Sequence, residues 1–242
     1  MADEPMTDTN RNADAAEVRR FNALASRWWD PAGEMGLLHQ MNPVRAGFIA
    51  ERAALAGARC LDVGCGAGLL TEALAQAGAS VTGIDMATES LDVARLHQVE
   101  SGLGAIRYLH TTAEELAAAE AGSYDVVTCL EVIEHVPDPA STVAACARLL
   151  RPGGAVFFST SNRNLTAFAV AVLSAEYLLG ILPRGTHEYA RFIKPSELDD
   201  WARRAGLELR DIAGIEHGGP AGFRIGPSVR VNYIAHFRKG GP

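Results

Sequence analysis

The feature that most constrains this chain is a glycine-rich turn between an apolar run and a helical pattern. Cys60, Leu61 and Val63 read as the end of a buried strand, Gly64, Gly66 and Gly68 follow at alternate positions, and residues 69–77 are alanine-rich with helical spacing. Glycine is required where backbone turns sharply or passes close to another group, because a Cβ would collide. A strand feeding a helix through such a turn aims free backbone N–H groups at whatever occupies the crevice beyond the strand.

The spacing argues against a dinucleotide. That fingerprint is G-x-G-x-x-G, whereas this loop runs G-x-G-x-G and continues into Leu69. Asp62 precedes the first glycine, where a carboxylate gains little beside a pyrophosphate. It suits a cationic ligand, and S-adenosylmethionine carries both a sulfonium and an ammonium. The stretch 80–84 reads as a second strand ending in Asp85, followed by Met86. A carboxylate at that strand end can accept hydrogen bonds from both hydroxyls of a ribose. Residues 111–114, which include Ala113, close a third strand at the level of an adenine ring. The expected cofactor contacts are therefore Asp62, Gly64, Gly66, Gly68, Asp85, Met86 and Ala113.

Strands alternate with helices along the chain. Helical patterns over 15–27, 44–55, 89–99 and 139–150 accompany strands at 105–110, 124–130 and 155–160, and the runs 207–215 and 229–237 are placed to pair as an edge hairpin. This alternation indicates an α/β, Rossmann-like, doubly wound and mostly parallel sheet with helices on both faces. At 242 residues the chain suits one domain. Residues 1–14 read as a polar, disordered tail, 15–242 as a single domain, 15–56 as an N-terminal helical cap, and 163–195 as an inserted lid or membrane-docking segment. Trp28 and Trp29 are expected in the core or as a lid. A net charge of −7 argues against a broad nucleic-acid-binding face. Cys60, Cys65, Cys129 and Cys146 form no C-x-x-C pair and read as structural thiols in a reducing compartment. The N-terminus has no apolar signal-peptide core.

Four features then stand in order: the glycine loop, Asp85, the apolar strand before Glu131, and the turn Arg151-Pro152-Gly153-Gly154. As a set they resemble the class I S-adenosylmethionine-dependent methyltransferases. That resemblance implies seven strands, one of them antiparallel between the fifth and sixth. Closer still, Arg27-Trp28-Trp29-Asp30, Asn42-Pro43-Val44-Arg45, Glu131 through Pro139, Asn162-Arg163-Asn164 and Phe192-Ile193-Lys194-Pro195 are similar to the ubiquinone-biosynthesis O-methyltransferase family. The family methylates a hydroxyl of a polyprenyl catechol (2-polyprenyl-6-hydroxyphenol) and of 3-demethylubiquinol. The resemblance puts Arg45, Gly64, Asp85 and Leu130 on cofactor-contacting positions, Leu130 replacing a frequent methionine. It also implies a divalent metal, peripheral attachment to the cytoplasmic face of a membrane, and a ubiquinone-biosynthesis complex as partner.

Methyl transfer to a phenol needs alignment of acceptor and methyl, and loss of a proton whose pKa is about 10. The candidates are Glu131, Glu134 and His135. Were the segment to open a helical turn, positions i, i+3 and i+4 would share a face and could bind Mg²⁺ or Zn²⁺. The alternatives are metal-free acid–base use of His135, or a purely structural role. Residues 165–182 are strongly apolar with Arg163 and Arg184 at the ends, which suits an interfacial segment or a buried helix over the site. Rival readings are a C-methyltransferase or other small-molecule methyltransferase, a non-catalytic S-adenosylmethionine-binding protein, and a nicotinamide oxidoreductase.

Overall fold

The computed structural model describes residues 12–104, 106–164, 191–219 and 222–241. Two helices lead in: α1 (Ala15–Leu24), extended by a 3₁₀ turn (Ala25–Arg27), and α2 (Gly36–Ala50). Alternation follows, as expected: β1 (Arg59–Val63), α3 (Leu69–Gln76), β2 (Ser80–Asp85), α4 (Thr88–Glu100), β3 (Arg107–His110), α5 (Ala113–Ala119), β4 (Tyr124–Leu130), α6 (Pro139–Leu149) and β5 (Leu150–Ser161). The described remainder holds α7 (Pro195–Arg204), β6 (Leu207–His217), β7 (Phe223–Gly226) and β8 (Asn232–Lys239).

Among the described residues these strands form one sheet in the order β3-β2-β1-β4-β5-β8-β6-β7. The first five are mutually parallel, and β8 runs antiparallel between β5 and β6. That placement matches the expected antiparallel strand. The count differs by one, because Phe223–Gly226 adds an edge strand to β6. Four residues in the connection between two long strands suffice for one more row of backbone hydrogen bonds, too short a run to show a period of two in sequence.

Both faces are covered, with the strand side chains dividing by parity. Leu61, Val63, Val127, Cys129, Val156 and Phe158 face a core shared with α5, α6 and α7. Cys60, Val126, Phe157 and Ile234 face the opposite core, built with α2, α3 and α4. Such burial on both faces explains why the central strands read as continuous apolar runs. All four cysteines are free and buried within these layers.

The second helix departs from expectation. Asn42-Pro43 reads as a break, yet α2 starts at Gly36 and runs through Pro43. Its buried residues Met41, Arg45, Phe48 and Ile49 continue one stripe across the proline. Tertiary burial of that stripe outweighs the one backbone hydrogen bond that proline forfeits.

Residues 12–14 of the polar tail make defined contacts. The Asn12 side chain donates to Glu114 Oε1 and Thr142 Oγ1, and Asp14 caps α1. Most of the 163–195 insertion lies outside the described residues. No described helix is long and apolar enough to cross a membrane.

Phe157 is fully buried, its ring stacked 4.7 Å from His236 and edge-on to Phe48 at 6.2 Å. Phe157→Ala should cost about 3–5 kcal/mol, read as a lower urea midpoint with an unchanged slope.

Candidate functional site

In an open parallel sheet the crevice lies beyond the carboxyl ends of the strands, where strand order reverses. Here that point falls between β1 and β4, and a cavity of about 1160 Å³ opens there. Its lining brings together Arg45, Asp62, Gly64, Gly66, Asp85, Met86, Ala113, Leu130, Glu131, Glu134 and His135. Gly68 is not in the lining. It caps α3 in the left-handed conformation (φ +89°), which turns the chain from loop into helix.

The loop is shaped by its own neighbours. Gly66 has φ +53°, and the volume a Cβ would need is filled by the Trp28 indole. Trp29 donates its indole N–H to Ala67 O at 3.0 Å and stacks on His97 at 3.4 Å. The paired tryptophans thus clamp the N-terminal cap over the glycine turn. Trp28 Nε1 is buried without a partner.

Asp62 and Asp85 are deployed differently. Both Asp62 oxygens accept hydroxyl hydrogen bonds, from Thr71 and Thr128, each at 2.7 Å. Burial pushes its carboxyl up to about 6. Asp85 accepts the Gly66 and Ala87 backbone N–H groups, one on each oxygen at 2.8 Å, and burial raises its pKa also. Each carboxylate oxygen carries two lone pairs, so Asp85 can still accept from a diol while it pins the loop.

The Glu131–His135 stretch corrects the sequence reading. It is a turn rather than a helix, and Glu131 has φ +56°, the one non-glycine residue with positive φ among those described. That left-handed residue sends its carboxylate sideways across the strand ends. Oε1 accepts from Arg45 (2.8 Å), Ser159 (2.8 Å) and Asn232 (3.1 Å). Glu134 and His135 do not share a helical face with it. Among the described residues no three His, Cys, Asp or Glu side chains are gathered to hold a metal. The expected three-ligand set of Glu131, Glu134 and His135 is therefore not assembled.

His135 has another partner instead. Its Nδ1 lies 2.9 Å from Glu17 Oε2 on α1, and its ring meets Phe21 edge-on at 5.4 Å. Burial alone would lower the imidazole pKa, but the Glu17 hydrogen bond and the Glu134 charge outweigh it and hold it above 6.5. A Glu17 carboxylate on Nδ1–H leaves Nε2 as the basic nitrogen. Sequence reasoning missed Glu17, Ser159 and Asn232. Each is an ordinary polar residue in its own element, 17 being one acid among several near the N-terminus.

Glu134 is buried, with Oε2 unpartnered. Burial, and then the Glu131 charge, push its carboxyl up to about 7. Unfolding returns it to an ordinary value near 4.5, so the folded chain holds the extra proton between those limits. Stability must then fall as pH rises through that window. Glu134→Gln removes this penalty. Its melting temperature should gain on the wild type between pH 5 and pH 8; an offset independent of pH would contradict the assignment.

Comparisons with known proteins follow the same line. A family model described as a methyltransferase domain matches residues 37–212. The ubiquinone biosynthesis O-methyltransferase of Saccharophagus degradans is 55% identical over 97% of this chain and 100% of its own length. The protein of that name from Pseudomonas aeruginosa is 54% identical over 94% of this chain and 98% of its own. Among solved structures, the magnesium protoporphyrin IX methyltransferase of Synechocystis with bound SAH shares the fold, with a TM-score of 0.69 at 20% identity over 93% of this chain and 100% of that one. A methyltransferase of Thermotoga maritima does so at a TM-score of 0.65 and 16% identity, covering 92% and 98%. On an end-to-end match at this identity, the chain belongs to the ubiquinone biosynthesis O-methyltransferase family.

Proposed function

We propose that this chain is an S-adenosylmethionine-dependent O-methyltransferase acting on a phenolic hydroxyl of a polyprenyl catechol, and on the related 3-demethylubiquinol. The observation that carries this reading is the convergence, in one cavity, of the glycine loop, Asp85 and a His135 imidazole backed by Glu17. The relatives' name supports the acceptor class.

The lining fits the cofactor. Asp85 keeps lone pairs for the ribose hydroxyls, and Met86, Ala113 and Leu130 supply apolar contact for an adenine. Asp62 holds the loop through its threonines, and Trp28 Nε1 and Arg45 Nε are buried donors without partners, suited to a carboxylate. When bound, S-adenosylmethionine supplies a methyl group on a good leaving group. The protein must exclude water, orient the acceptor and remove its proton. Phe21, Trp28 and Met35 of the N-terminal cap wall the cavity against solvent. His135 Nε2 takes the hydroxyl proton as general base, with Glu17 fixing the tautomer and stabilising the imidazolium. Glu131, Glu134 and His135, as arranged, do not fit a three-residue site for Mg²⁺ or Zn²⁺, and no step is routed through a metal.

A polyprenyl tail places the acceptor in a bilayer. Residues 165–182 are apolar with Arg163 and Arg184 flanking them, a pattern suited to peripheral docking at an anionic membrane face. Such docking would also bring the chain alongside other enzymes handling the same lipid-borne ring.

Incubation with S-adenosylmethionine and a short-tailed catechol should add about 14 mass units, the weight of CH₂ gained on O-methylation. His135→Ala should lower kcat by about 10²–10⁴-fold while cofactor binding persists. The active imidazole is unprotonated, so kcat/KM rises with pH through the raised His135 pKa. Glu17→Gln should move that limb to lower pH; an unmoved limb would remove His135 as the base. Deletion of residues 166–182 should abolish sedimentation with anionic liposomes and leave cofactor binding intact, whereas unchanged sedimentation would refute docking by this segment.

A further inference from the structure

The clamp on Glu131 has an unused end. Asn232 donates from Nδ2 to both Glu131 oxygens, at 3.1 and 3.2 Å. A carboxylate can only accept, so the amide cannot turn over without placing its oxygen against Glu131. Its Oδ1 is thereby fixed facing away from Glu131. That oxygen is buried and accepts no hydrogen bond, although Asn232 lines the cavity. A buried acceptor without a donor is costly.

Position strengthens the point. Asn232 is the first residue of β8 and pairs with Ser161, the last residue of β5. Because β8 is antiparallel, its beginning lies at the carboxyl edge of the parallel strands, where the cavity opens. Glu134, whose Oε2 is likewise buried and unpartnered, lines the same space.

We propose that Asn232 is a specificity-determining, positioning residue for the acceptor. Its Oδ1 accepts a hydrogen bond from a hydroxyl adjacent to the one that reacts. This rests on the reading above that the cavity takes a catechol. A ring carrying two neighbouring hydroxyls satisfies the amide oxygen and presents its second hydroxyl to the base. A ring with one hydroxyl must either leave Oδ1 unpartnered or bind in an unproductive orientation. Sites built to bond a substrate hydroxyl reject analogues that lack it much more strongly than apolar pockets reject a missing methylene. Glu131 acts through Asn232: its carboxylate, itself held by Arg45 and Ser159, sets which end of the amide the acceptor meets.

The test compares a short-tailed catechol with a monophenol of matched acidity, so that ease of deprotonation does not differ. Wild-type kcat/KM should favour the catechol by about tenfold or more. Asn232→Ala should bring that ratio close to one, chiefly through KM for the catechol, with the dissociation constant of S-adenosylmethionine changed less than about twofold. Equal losses on both acceptors, leaving the ratio intact, would overturn the proposal, as would a wild type without preference. If Asn232→Ala fails to bind S-adenosylmethionine, Asn232→Leu, which keeps the volume and removes Oδ1, takes its place in the same comparison. Cofactor binding by the wild type without transfer to either phenol would instead overturn the O-methyltransferase reading, and this proposal with it.

Discussion

The Glu131 carboxylate is where the separate parts of this protein meet. It sits one residue past β4 and accepts hydrogen bonds from Arg45 on α2, Ser159 on β5 and Asn232 on β8. The N-terminal cap, the parallel sheet and the antiparallel strand are thus joined through one side chain. Arg45 is buried, so its guanidinium needs this partner; a buried cation left alone would be severely destabilising. The left-handed backbone at Glu131 is the local cost of aiming a carboxylate across the strand ends rather than along a helix face. Charge-assisted hydrogen bonds from three residues offset it.

With that junction in place, the chemistry follows from the sheet's geometry. Parallel strands end on the same side, so Asp62 and Asp85, near neighbours across β1 and β2, both stand at the cavity. Their roles diverge through local partners: Asp62 is tied to two threonines inside the fold, whereas Asp85 holds backbone N–H groups at the rim. The cap closes the other side. Trp28 packs on Gly66, and Glu17 reaches His135. A helix that precedes the sheet in sequence thereby supplies the partner of an imidazole that follows the fourth strand.

Much of this was legible along the chain. The strand–helix alternation, the glycine turn and Asp85 are local properties that residue spacing reports, and the antiparallel strand between β5 and β6 came from the family resemblance. The failures are equally specific. A helical turn over 131–135 was a fair expectation from E-x-x-E-H, but φ at Glu131 was decided by three donors remote in sequence, one of them 101 residues away. Pro43 misled in the same way, because burial of Met41, Phe48 and Ile49 carries α2 through it. Nothing near Glu17 or Asn232 in sequence marks either as part of a site.

By itself, then, the sequence determined the fold class and the glycine turn, since both rest on short-range patterns of periodicity and glycine spacing, and its longer motifs carried the resemblance to the family. Only the tertiary structure decided which polar groups face one another. It split the expected ligand set, gave His135 to Glu17 and Glu131 to Arg45, Ser159 and Asn232, and left one buried oxygen each of Glu134 and Asn232, residues that line the cavity, without a partner. The physical reason is that a buried polar atom must find a partner wherever the packed chain offers one, and that choice is settled only when distant elements close on each other.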